Sequence, residues 1–72
     1  MSAAERDLLV AVQEALTLPY STAHHDQRIS FRAMDVSAAV KGYLDEGDPE
    51  WHAKWLRGRI CAEEARHAGG AP

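Results

Sequence analysis

"ISFRAMDVSAAVKGYLDEG" (Ile29–Gly47) decides the fold, because its apolar residues point two ways at once. Ile29, Ala33, Val36, Val40 and Tyr43 step by four, three, four and three, and Leu44 extends the set. That rhythm is the seam of a helix packing on helices. Phe31, Met34 and Ala38 fall on the opposite side. The first proline or glycine after Thr22 is Gly42, so the spacing predicts one long helix over 22–46, with Ser21 or Thr22 as its cap and Gly47 as its stop. A rival parsing starts from "RISFR" (Arg28–Arg32), whose strict polar–apolar alternation is that of a half-buried strand. Asp35 would then cap a shorter helix, and the strand would have to pair with its own copy in a dimer.

Working outward, "SAAERDLLVAVQEALTL" predicts a first helix over 2–18. Ser2 and Glu5 have the capping-box spacing, and Leu8, Leu9, Val12, Ala15 and Leu16 form a broad apolar stripe. Pro19 ends it. On the other side, "GDPEW" marks a boundary: Asp48 at the cap, Pro49 in the first turn, and Glu50 where a negative charge suits the helix dipole. The third helix is expected over 49–67, with 69–72 as a flexible tail behind a single helical domain, 1–68. Along that helix Ala53, Leu56 and Ile60 cluster on one side, while Trp51, Trp55, Gly58, Ala62 and Ala65 cluster almost opposite. The expectation is therefore an all-α bundle of three helices whose second and third members are each apolar on two faces.

Totals sharpen that expectation. Seventy-two residues make one domain, and chains this short bury only about 60% of their unfolded surface. The 46% hydrophobic fraction overstates the core because alanine supplies much of it. Cys61 is the single cysteine, which excludes an internal disulfide. No run approaches the roughly 18 apolar residues of a membrane span, and "MSAAERDLL" places charges where a signal peptide needs its apolar region. A soluble cytoplasmic protein without membrane association is expected. The net charge is −3, with four basic and nine acidic residues in 1–50 against four basic and two acidic in 51–72. Such a balance argues against non-specific DNA binding, which rests on neutralising phosphates.

"ALTLPY" with "STA", then "RAM" (Arg32–Met34), then "WLRGRI" (Trp55–Ile60) resemble a group of short uncharacterised actinobacterial all-helical proteins. In these an "ALxLP" helix end precedes an "R-A/V-M" helix and an aromatic "LRxR" helix. The resemblance spans most of the chain through Leu18, Pro19, Arg32, Met34, Trp55, Leu56, Arg57 and Arg59. Gly58 departs from it, standing where an acidic residue is usual. It implies an all-helical fold and carries no activity.

Motifs with chemical potential are few. "HHD" (His24–Asp26) offers metal donors, with His52, Cys61 or His67 from the third helix, but adjacent helical residues point about 100° apart and no ligand pair has one-turn spacing. Cys61 lies between Ile60 and Ala62, the setting of a small hydrophobe rather than a nucleophile. The carboxylates of "LDEGDPE" read as caps. No catalytic residue, metal or cofactor is therefore expected, and the chain reads as a non-enzymatic interaction module. Its expected partner-binding residues are Phe31, Met34, Trp51, Trp55 and Arg59, the last placed to stack on Trp55. The partner would be a second copy of the chain or a larger protein. The alternative is a dimeric ribbon–helix–helix-like DNA-binding regulator that places Arg28, Ser30 and Arg32 in the major groove.

Overall fold

The structure, a computed structural model, describes residues 1–69 as three α-helices: α1 (Ala3–Leu16), α2 (His25–Glu46) and α3 (Pro49–Gly69). No strand occurs among the described residues, and no helix there is long and apolar enough to cross a membrane. The expected tail lies outside the described residues except for Gly69, which ends α3.

Local chemistry sets each boundary. The capping box of α1 is complete: the Glu5 N–H donates to Ser2 Oγ at 3.1 Å and the Ser2 N–H to Glu5 Oε1 at 2.9 Å. Neither Ser21 nor Thr22 caps α2. Instead the Thr22 N–H donates to the Pro19 carbonyl and the His25 N–H to that of Thr22, so successive turns occupy the link and the helix starts at His25. Gly47 and Asp48 both take positive φ, 78° and 56°, to turn the chain between α2 and α3. Asp48 Oδ1 then accepts from the Trp51 N–H at 3.1 Å, the cap expected from "GDPEW".

The apolar centre is small. It consists of Leu8, Ala11, Ala15, Ala39, Ala53 and Leu56, with Val12, Val36, Tyr43, Trp55 and Ile60 packed around it. Four of those six are alanines, so the helices approach closely and there is little side-chain mass between them. At one crossing the approach demands glycine: a Cβ on Gly42 would sit 2.5 Å from Nε2 of His52, which is buried against α2. The bundle is elongated, 42 × 20 × 19 Å, with a radius of gyration of 12.9 Å. A compact chain of this length would have about 11 Å.

The seam of α2 is not the one the spacing predicts. Its buried line runs through Arg32 and Ala39, flanked by Val36 and Tyr43, while Ala33 and Leu44 are exposed. The helix is turned because Arg32 lies inside. Segment 28–32 is helical throughout, so the strand parsing is overturned: Arg28 and Arg32, four residues apart, share one helix face, and Ser30 points away and is exposed.

Two glycine substitutions probe this packing. Gly42→Ala should destabilise the fold by about 1–3 kcal/mol through overpacking against His52. Gly58→Ala, whose Cβ meets open space, should stabilise it by about 0.5–1 kcal/mol through helix propensity. Urea unfolding of the two variants should give opposite signs.

Candidate interaction surface

The surface is shaped by what the interior holds. Glu63, on the core side of α3, is buried and receives two guanidinium groups from α2. Arg28 donates through Nε to Oε2 at 3.0 Å and through Nη2 to Oε1 at 2.7 Å. Arg32, 3% exposed, donates to the same oxygens at 3.2 and 3.0 Å. Its Nη1 also donates to the Ala15 carbonyl at 3.2 Å, in the last turn of α1. One side chain thus ties all three helices and satisfies an end-of-helix carbonyl. The Arg28 guanidinium chiefly, with Arg32 beside it, holds the Glu63 carboxyl down at about 2 against the cost of burial. Every fully buried side-chain polar atom among the described residues has a partner.

The strand that the nucleic-acid alternative presumes is not what the chain forms at these residues. The segment expected to carry Arg28, Ser30 and Arg32 as a strand is a helix, and both guanidiniums are committed to Glu63 within the bundle.

The partner-binding candidates divide. Phe31, Met34 and Trp51 are 55%, 67% and 55% exposed, as a non-core face requires. Trp55 differs: it is half-buried and packs on the apolar centre rather than standing off from it. Arg59 lies over its ring, 5.8 Å from the centroid, and donates to Asp35 of α2 at 3.2 Å. Phe31 and Arg59 line one groove between α2 and α3, with Gln27, Arg66 and His67 at its end. Trp51 sits one turn before Trp55 with its ring against His52, 5.0 Å between centroids. Phe31, Trp55 and Arg59 therefore belong to one α2–α3 ledge, Trp51 extends it, and Met34 lies around the outer side of α2.

The fold also presents a second apolar face, which the sequence pattern does not single out. Met1, Leu9 and Leu44 are 86%, 52% and 74% exposed, and with Leu8, Val40, Tyr43 and Glu5 they line a groove of about 300 Å³ between α1 and α2. Farther along the same pair of helices, Leu16, Tyr20 and Ile29 line another. The α1–α2 pair is the most sparsely packed of the three. The Tyr43 hydroxyl bridges it by donating to Glu5, which holds that carboxyl below its ordinary value and the phenol above.

The other charged groups brace helices. Arg57 reaches Asp7 and Glu14 of α1, while Arg59 reaches α2, so the two arginines work on different sides as their spacing implies. His25 points inward to the Leu18 carbonyl at 3.1 Å and packs on Tyr20, whereas His24 is exposed. His24 and His67 come together, their ring centroids 6.4 Å apart, while His52 sits at the opposite end of α3; no group of three His, Cys, Asp or Glu side chains gathers among the described residues. No known family, curated protein or solved structure matches the chain.

The Glu63 cluster has a signed pH dependence. Its carboxyl titrates near 2 in the fold against an ordinary 4.5, so the stabilisation is complete above 4.5 and is lost as pH falls through 2. The loss should reach roughly 3 kcal/mol. Asp7, held low by Arg57, and Glu5 act in the same direction. Urea unfolding should show a plateau above pH 5 and a steady fall below it.

Proposed function

We propose that the chain is a non-enzymatic protein-interaction module that associates through its exposed apolar helix faces. One observation carries this reading: large apolar side chains lie outside while the centre is mostly alanine. Phe31, Met34, Trp51, Leu9 and Leu44 are all more than half exposed, and Leu56 is the one large side chain sealed completely among the described residues. Scattered apolar residues on a surface need no explanation, but contiguous ones mark interaction sites. Here they gather between α1 and α2, where Leu9 and Leu44 line one groove with Met1, Leu8, Val40 and Tyr43.

The α2–α3 ledge has the composition of a binding hot spot: an aromatic pair, a phenylalanine and an arginine already positioned by Asp35. The ion pair and the stacked indole hold Arg59 and Trp55 in one geometry, which lowers the ordering cost of binding. Among the described residues the buried polar groups are engaged within the fold: Glu63 is neutralised by Arg28 and Arg32, and His52 Nδ1 donates to the Asp48 carbonyl at 2.9 Å.

Mass measurement by light scattering, combined with chemical crosslinking to interacting proteins, tests the proposal. Association above the monomer mass or a specific crosslinked partner is expected, weakened at least tenfold by Phe31→Ser or Leu44→Lys while helicity by circular dichroism is kept. A monomer across the micromolar range with no crosslinked partner contradicts it.

A further inference from the structure

The groove between the start of α2 and the end of α3 differs in charge from the molecule around it. The chain carries −3, yet Arg28 and Phe31 of α2 and Arg59, Arg66 and His67 of α3 line this groove, with Glu63 as the one carboxylate among its lining residues. We propose that it takes an acidic segment of a partner protein, whose carboxylates meet the arginines while an apolar side chain seats on Phe31. This deepens the proposed interaction role and rests on it.

Charge balance comes first. Arg28 and Arg32 share the single carboxylate of Glu63, so that cluster keeps one positive charge after its bonds are made. Arg59 is matched by Asp35. Arg66 is exposed and makes no ion pair among the described residues. Two other carboxylates stand close by without entering the groove. Glu64, 3.7 Å from Arg32, lines the groove between α1 and α3 instead. Asp26 lies two residues before Arg28, which places it on the far side of α2, and it is turned to His25. The groove therefore keeps a positive excess.

Donors are left over as well. Arg28 uses Nε and Nη2 on Glu63, and Arg59 uses only Nε, on Asp35. Nη1 of the first and both Nη nitrogens of the second have no hydrogen-bond partner among the described residues. Planar guanidinium groups with free N–H bonds suit carboxylates, and the bonds already made hold two of them in place. Phe31, 55% exposed, adds an apolar seat beside them. Duplex nucleic acid is the poorer match, because its affinity grows with the number of phosphates neutralised and this excess is small. An acidic peptide with an apolar anchor uses both features of the groove.

Fluorescence anisotropy of the full chain with a labelled peptide of alternating glutamate and leucine tests the proposal, beside a lysine–leucine peptide and a short DNA duplex. Arg66→Glu alters an exposed side chain outside the Glu63 cluster, and circular dichroism checks that helicity is kept. The expected result is preference for the glutamate peptide, with binding that weakens as salt is raised and about tenfold in Arg66→Glu or Phe31→Ser. Lys54→Glu, the same charge change at the other end of α3, should leave that binding as it is. Equal binding of the two peptides, tighter binding of the duplex, or equal loss in Arg66→Glu and Lys54→Glu overturns the proposal. Association of the chain that Leu44→Lys breaks, without binding of the glutamate peptide, overturns the acidic partner and leaves the interaction role standing. A chain that neither associates nor binds the peptide overturns both.

Discussion

Glu63 draws Arg28 and Arg32 into the bundle, and through the Ala15 carbonyl the second of these reaches α1 as well. This shared carboxylate sets the relative rotation of the helices. Burying three charges is costly, and the arrangement persists because bidentate geometry and complete hydrogen bonding offset the loss of water. Its stronger effect is on specificity. A guanidinium must meet its carboxylate at hydrogen-bond distance, whereas leucine on leucine tolerates sliding. With Arg32 on the inner line of α2, the helix turns its aliphatic row of Ala33, Val40 and Leu44 sideways toward α1 and solvent. The apolar surplus outside is therefore a consequence of the charged contact inside.

Close packing by alanine completes this logic. Ala11, Ala15, Ala39 and Ala53 let the helices approach, and Gly42 admits the His52 ring where α2 meets α3. A centre so narrow excludes water without much mass, and the chain keeps its larger side chains for its surfaces. One surface is the stacked ledge of Phe31, Trp55 and Arg59; the other is the leucine-lined valley between α1 and α2.

Much of the architecture is legible in the sequence. The three helices, the Ser2–Glu5 box, the Asp48 cap, the exposure of Phe31, Met34 and Trp51, and the stacking of Arg59 on Trp55 follow from local spacing and chemistry. What periodicity misreads shares one cause: it counts arginine and glutamate as solvent-facing. That assumption displaces the α2 seam toward Ile29 and Leu44 and makes "RISFR" resemble a strand. A signal is present, since Glu63 falls three residues after Ile60 and seven after Leu56, on the apolar stripe of α3, while Arg28 and Arg32 share one face of α2. Pairing them requires knowing which faces meet across 31 residues, and a one-dimensional pattern does not hold that. The late start of α2 has a similar origin, because the turn bonds that displace Ser21 and Thr22 from the cap depend on how the chain leaves Pro19.

If this chain arranges more apolar surface than it encloses, its fold is completed by association, and its stability must depend on how much of it is present. The thermal midpoint measured by calorimetry as a function of protein concentration addresses this directly, because binding of the native state shifts the unfolding equilibrium by mass action. The predicted result is a midpoint that climbs steadily from low to high micromolar chain. A midpoint that stays constant across that range would show a self-sufficient monomer and contradict the dependence on association.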